Sequence, residues 1–422
     1  MSCLDNMWES RFQLIVASVL LLPLVRCLLK ENKHSLFTTK IGQYIIGKWI
    51  YNSFFHPLAK IPGPRSWGGS NLPFLYSLLR GTLIHDLERL HRRYGRIIRI
   101  GPDAVDFAHS NAWADIFQPR PGLPHFPKYS PWWDAPGGPS MFNTKDIQAH
   151  ARMRKTLSPG FTDRALRAQE HVLLQYINLL IRRLTEVVEE NDKVEHAVAT
   201  IDVFPWLNFV TFDIFGDLGF AEAFNCLERS EYHPWIDMLF KSVKGAAFLF
   251  AVKKYPKFDW LLEKLLPPSL RKVRANHYKV ITDKLDRRMN LEVARPDIIG
   301  YTLKEAKEGK GMSREEIEPT FAVLTIAGSE TTATALGGIF NYLIKNADKR
   351  DKLIHAIRSE FDSDDSISIT RTSQMPYIRA VINEGLRLSP PVPWILPRVV
   401  PARGAAVCGT WLPEGVSLVF KT

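Results

Sequence analysis

The hydrophobic positions of this chain recur mostly at helical spacing. A helical pattern covers Leu83 to Tyr94, and another runs from Lys145 to about Glu190, breaking around Asn191 to Lys193. Phe204 to Phe224 (FPWLNFVTFDIFGDLGFAEAF) reads as a buried helix followed by a turn. Further helical segments reach about Arg295. Glu315 to Lys345 is the longest apolar helix in the pattern, and Ser313 with Glu316 makes a capping box at its start. Pro319 either kinks the first turns or begins the regular helix at its first position. Met375 to Leu388 forms one more helix. Period-two alternation appears in GRIIRIGPDAVDFAH from Gly95, split by a Gly-Pro turn, and strand-like, turn-rich sequence returns from Leu388 to Thr422. With no repeat and no low-complexity tract, the pattern predicts a mainly α fold with minor β near each end.

The front of the chain has a different character. Phe12 to Leu29 (FQLIVASVLLLPLVRCLL) is close to the length that crosses a bilayer. A cleaved signal peptide is the rival reading. Against it stand the length of the run, the lack of a small-x-small cleavage site and the acidic leader MSCLDNMWES. Positive charges follow the run at Arg26, Lys30, Lys33, Lys40 and Lys48. The positive-inside rule then places residues 1–11 in the lumen, 12–29 in the membrane as a single span, and the rest in the cytosol. Residues 30–60 form a juxtamembrane segment and linker, and 61–422 the folded domain. Gly42 to Phe55 is apolar and aromatic, and reads as a membrane-interface segment or as core. HPLAKIPGPR, His56 to Arg65, is a stiff proline connector. Gln118 to Ser140, rich in Pro, Gly and aromatics, is a long irregular loop suited to covering a pocket.

Composition narrows the partners. The 422 residues are 45% hydrophobic, ample for a large core, and carry a formal net charge of +11. Such a surface suits an anionic membrane or an acidic protein. Lys and Arg are scattered and form no nucleic-acid motif, so nucleic acid is not an expected partner. The four cysteines, Cys3, Cys27, Cys226 and Cys408, form no CxxC pair, which argues against zinc and against a secreted disulfide framework.

One stretch resists a purely structural reading. AGSETT places the small residues Ala327 and Gly328 directly before Glu330, Thr331 and Thr332, inside the apolar run. Small residues let a flat group approach the backbone. An acid beside a hydroxyl in a dry place suits proton delivery to a reacting atom. The plainer alternative is a Thr-rich helix with back-bonded hydroxyls and a Glu turned to water. Downstream, Glu384 and Arg387 stand three residues apart on one helix face, which alone reads as an ordinary surface ion pair. LSPPVPWILPRVVP then leads to Arg398 in strand-like sequence.

Taken together, AGSETT, EGLR about fifty residues later and SPPVPWILPR resemble the cytochrome P450 superfamily. FFHPLAKIPGPR, HRRYGRIIRIGPDAVDF, HARMRKTLSPGFTDRAL and FGDLGFAEAFNCLE are similar to membrane-bound fungal members, so the resemblance covers nearly the whole chain. It implies a P450-like α+β fold and a haem cofactor. Glu330 and Thr331 would be the acid–alcohol pair handling protons during O₂ activation, and Ala327 and Gly328 the groove admitting O₂ and the porphyrin edge. Arg154 and Arg398 would bind the haem propionates, where a planar guanidinium gives charge-assisted bonds. His150, four residues before Arg154, would sit beside them. Glu384 and Arg387 would be a buried structural pair, not catalytic and costly to break. The loop 118–140 would cover the substrate pocket, with Trp132, Trp133 and Phe248 to Phe250 favouring a bulky apolar or aromatic substrate.

The resemblance implies a haem-thiolate monooxygenase that inserts one oxygen atom from O₂ into an apolar small molecule in fungal secondary metabolism. Electrons would come from an NADPH-dependent flavin reductase on the same endoplasmic reticulum membrane. That chemistry needs an axial Cys thiolate. None of the four cysteines stands in the required Phe- and Gly-rich loop, so the ligand is expected beyond Thr422. The chain is therefore read as truncated before the haem-binding segment, and on its own is expected to fold poorly and hold no thiolate-ligated haem. The alternative function is a non-catalytic, membrane-anchored remnant.

Overall fold

The computed structural model describes residues 33–130, 138–192, 200–237, 240, 250, 253–255, 268–291, 295, 297–307 and 311–421. The chain divides into two units, one of residues 1–132 with 394–422, the other of residues 133–393.

In the first unit, helix α1 (Lys33–Ile50) runs into a wider π turn, Tyr51–Phe55. The turn buries Asn52 and Ser53, whereas Tyr44, Tyr51, Phe54 and Phe55 are exposed. Trp49, in contrast, is half-buried against Gly69, so part of Gly42 to Phe55 packs inward and part faces out. Among the described residues no helix is long and apolar enough to cross a membrane, and the expected span at 12–29 lies outside them. Helix α2 (Leu83–Tyr94) has the predicted limits and buries Leu83 and Leu87; Gly95, at φ +101°, ends it. Strands β1 (Ile97–Gly101) and β2 (Ala104–Phe107) follow as a hairpin across the Gly-Pro turn, then helix α3 (Ser110–Phe117).

The terminal segment supplies β3 (Trp394–Val399), β4 (Ala405–Val407), β5 (Thr410–Leu412) and β6 (Ser417–Lys421). The two β regions, predicted separately near each end, join in a four-stranded sheet with the order β1-β2-β6-β3, while β4 and β5 pair in a separate two-stranded sheet. β6 pairs parallel with β2 and antiparallel with β3. All four β2 residues are buried, as suits a central strand covered on both faces. The buried Asp106 is satisfied by His91 Nε2 at 3.2 Å and by its contact with the Phe107 amide at 3.0 Å. Arg99, also buried, donates to the carbonyls of Asn52, Gly101 and Pro102 at 2.7–3.1 Å, tying the π turn to the sheet. Leu58, Val105, Phe107, Ile116, Val407 and Leu418 pack around this sheet.

The second unit is helical: α4 (Ile147–Leu157), α5 (Glu170–Asp192), α6 (Val203–Phe220), α7 (Pro268–Met289), α8 (Ile298–Lys307), α9 (Arg314–Lys345), α10 (Ala347–Glu360) and α11 (Pro376–Leu388). The single helical stretch expected from Lys145 to Glu190 is broken where Pro159 enters a 3₁₀ turn, Ser158–Phe161. Helix α6 is apolar all round because it is buried on nearly every side, with Phe209, Phe212 and Phe220 among the core residues. It crosses α9, the longest described helix.

Helix α9 begins at Arg314 behind the predicted Ser313–Glu316 capping box. Pro319 lies inside it, buried, with helix continuing on both sides, so the helix does not start there. Glu316 is fixed further by Arg152 of α4, whose guanidinium makes two bonds to it at 2.6 and 2.8 Å and a third to Gly311 O at 2.8 Å. That charge-assisted fork holds the Glu316 carboxyl below the usual carboxylate range and clamps α4 to the start of α9.

Candidate active site

The AGSETT stretch lies in the middle of α9, where that helix passes α6. Both readings of it are partly realised. The hydroxyls do back-bond, Thr331 Oγ1 donating to Ala327 O at 2.6 Å and Thr332 Oγ1 to Gly328 O at 2.8 Å. Ser329 Oγ donates across to Thr211 O of α6 at 3.3 Å. Glu330 does not turn to water. Its Oε2 is buried and has no hydrogen-bond partner, and burial alone pushes its carboxyl above the usual range. The result is a desolvated acid adjacent in the chain to a hydroxyl that returns its proton to the helix.

Gly328 has a second explanation. A Cβ there would stand 3.0 Å from Cδ2 of Phe215 on α6. The flat group that approaches Gly328 in this structure is thus the Phe215 ring, and the glycine permits the close helix crossing. Ala327 is half-buried one position earlier.

The neighbourhood of Glu330 holds residues that the sequence did not single out. Tyr232 is pushed up to about 12, first by burial and then by the negative charge of Glu330. Asn208 of α6 bonds to Tyr232 and donates to Phe204 O at 3.2 Å, while its own Oδ1 is buried and unpartnered. Tyr232 approaches Glu330 from outside its helix and carries Asn208 as its own partner, so no spacing rule could have named them.

The cation positions differ in setting. His150 is half-buried on α4, and Arg154, one turn on, is exposed with no side-chain partner among the described residues. In the first unit, Arg398 on β3 is half-buried and lies over the Phe117 ring at 5.4 Å. One of its nitrogens reaches Phe126 O at 3.4 Å, whereas its Nε is buried without a partner, and burial lowers its pKa. Lys128 forms an isolated β-bridge with Arg398 and is pushed down to about 8 by burial and by that guanidinium. A buried guanidinium with an unfilled donor, beside a second cation, fits an anionic group such as a propionate.

The expected burial of Glu384 and Arg387 is not met. They form the bidentate pair, at 2.6 and 2.7 Å, but their side chains are 56% and 66% exposed. Helix α11 buries Gly385 against α9 and carries the two charged residues on its open face, so water competes for the pair.

Neither described cysteine fits an axial thiolate. Cys226 is buried and its thiol is pushed up to about 12 by burial and by Asp213. Burial and Asp115 raise the thiol of Cys408. The chemistry of Arg398 fits a haem carboxylate, and burial leaves neither described cysteine a ready thiolate.

The comparisons with known proteins settle the family. Residues 64–421 match the family profile of Cytochrome P450. The chain belongs to that family and is by membership an oxidoreductase. It is 42% identical over 376 residues to the cytochrome P450 monooxygenase astJ of Aspergillus oryzae, covering 88% of this chain and 74% of the relative. The cytochrome P450 monooxygenase lcsI of Purpureocillium lilacinum is 38% identical over 380 residues, covering 89% and 72%. Versicolorin B desaturase of Aspergillus parasiticus is 38% identical over 378 residues, covering 88% and 73%.

Proposed function

We propose that this chain is a haem-thiolate monooxygenase that inserts one oxygen atom from O₂ into an apolar small molecule in fungal secondary metabolism. The observation that carries the reading is the desolvated, unpartnered Glu330 carboxylate next to Thr331 on the central helix. Family membership supports it, as do the names of the relatives. When bound, haem would supply the activation of O₂. The chain's own residues would hold it and serve it. Arg398 and Arg154 offer guanidinium groups to its carboxylates, with His150 nearby in sequence. Glu330, whose carboxyl burial pushes above the usual range, holds and releases protons at Oε2, and Thr331 Oγ1 presents a hydroxyl one residue on. Helix α6 sets the Phe215 ring against Gly328, which allows the close crossing beside Glu330. The exposed Glu384–Arg387 pair is assigned a structural role.

The partner would be an NADPH-dependent flavin reductase, and the setting the cytosolic face of the endoplasmic reticulum, with residues 12–29 as the anchor. Neither Cys226 nor Cys408 is assigned as the axial ligand. The test uses protein expressed in a host that supplies haem. We expect a thiolate-type carbon-monoxide spectrum, and a fall in turnover of about 100-fold or more in Glu330→Gln, the lower end of general acid–base effects. Protein purified without haem, or turnover unchanged by Glu330→Gln, would sink the reading.

A further inference from the structure

A second cavity lies in the helical unit, between the connection that follows α6 and the C-terminal half of α7. It encloses about 310 Å³, at the lower end of ligand pockets, and its lining includes Glu222, Arg229, His233, Asp283, Lys284 and Arg287. None of these residues is used in the haem reading. We propose that this cavity binds a small organic carboxylate.

The charges argue for an anion. Glu222 is already committed, accepting from Lys284 Nζ at 2.9 Å and from Arg287 at 2.8 and 3.0 Å. Lys284 spends its other bonds on Glu222 O and Ala223 O, at 3.1 and 3.2 Å, with its side chain 5% exposed. Arg229 has no hydrogen-bond or ion-pair partner among the described residues. His233 Nδ1 accepts from the Trp235 amide at 3.2 Å, which leaves its proton on Nε2 as a further donor. Burial, Lys284 and Arg229 lower the pKa of that ring. The opposing charges outside the Glu222 cluster are Asp283, which adds to the field at Arg287, and Asp213, which acts on Lys284.

The wall argues for an organic body on that anion. Ala223, Phe224, Asn225 and Val280 complete the lining, so the cavity is larger than a bare inorganic ion needs and has an apolar side. The Phe224 ring is stacked on Trp235 at 5.3 Å and covered by Lys284 Nζ at 4.6 Å, which holds it in place.

The connecting loop is built rather than loose. Ala221, Asn225 and Ser230 all take left-handed φ values, +55°, +58° and +55°, which non-glycine residues rarely adopt. Asp213 pays for part of this strain by accepting from the amides of Cys226 and Leu227 at 3.0 and 2.8 Å. A pre-set loop presenting an unpaired guanidinium loses little freedom when a carboxylate binds.

The test is ¹⁹F NMR of 4-fluorobenzoate titrated into the full chain in detergent, with 4-fluorobenzyl alcohol as the neutral probe and inorganic phosphate as competitor. We expect saturable broadening of the carboxylate signal in the millimolar range and none of the alcohol. Arg229→Gln should weaken binding about tenfold, the loss of one charge-assisted contact, and Arg229→Lys should retain most of it. Arg229 is exposed and unpartnered, so neither variant threatens folding. Equal binding by the alcohol, no saturation, binding unchanged by Arg229→Gln, or phosphate displacing the benzoate as strongly as benzoic acid itself would overturn the proposal. Because haem content is read separately from the same samples, failure here leaves the monooxygenase reading standing, and the reverse holds.

Discussion

At the residue scale, Glu330 carries an energetic cost that its position makes measurable. Its buried Oε2 has no donor, and burial holds its carboxyl above the usual range. Between the unfolded and folded pKa values the folded chain binds more protons than the unfolded chain. Stability therefore falls as pH rises through that window, and the cost is fully present above it. Glu330→Gln removes the charge and keeps the shape. We expect the variant to melt higher than the native protein near pH 7, with the gap closing toward about pH 3, below the ordinary Glu pKa, where the native carboxyl is protonated in both states. Thermal melts at the two pH values check this; a variant that melts lower at neutral pH would mean that Glu330 has an unseen cation. A group kept at a cost to stability, and expected to lower turnover when removed, is the pattern of a functional residue.

At the element scale, the helix that carries Glu384 and Arg387 is positioned by the residue between them. A Cβ on Gly385 would stand 2.3 Å from Cγ1 of Ile339 on α9. Ile339 is β-branched on a helix, so it has little room to turn away. Replacing Gly385 by Ala gains about 1 kcal/mol in helix propensity but forces an overpacked contact costing about 1–3 kcal/mol. The second term wins. Gly385→Ala should lower the denaturation midpoint, and Gly385→Ala combined with Ile339→Ala should recover part of the loss. The motif thus reads differently in the fold than in the sequence: its charged members sit outside on an exposed face, and its glycine makes the contact. Arg152 teaches the converse. It stands two residues before Arg154 in the same helix, yet it is the one that reaches Glu316 and locks α9.

At the scale of whole units, the sheet joins segments some three hundred residues apart. β6 has β2 on one side and β3 on the other, and Leu418 and Val419 are buried in it. Deleting residues 417–421 would leave two strands with unmade hydrogen bonds in a buried setting, each costing about 1–3 kcal/mol. We expect the first unit to lose protection of the β2 amides in hydrogen exchange and to become protease-sensitive, while α6 and α9 of the second unit stay protected. Unchanged protection in β2 would show that the strand holds without its parallel neighbour.

The sequence by itself determined the helical elements with strong periodicity or clear punctuation. Leu83–Tyr94 and the capped start of α9 have their predicted limits, because amphipathic spacing, a Gly stop and a Ser–Glu box are local signals. It also determined the family, because AGSETT, EGLR and the proline-rich tail recur in fixed order. Tertiary structure decided what depends on partners far along the chain. It joined two β regions in a four-stranded sheet, set Gly328 against Phe215, left the Glu384–Arg387 pair in water and brought Tyr232, with Asn208 as its partner, to Glu330. Burial and strand pairing arise from contacts between distant segments, and no window of sequence contains both sides of such a contact.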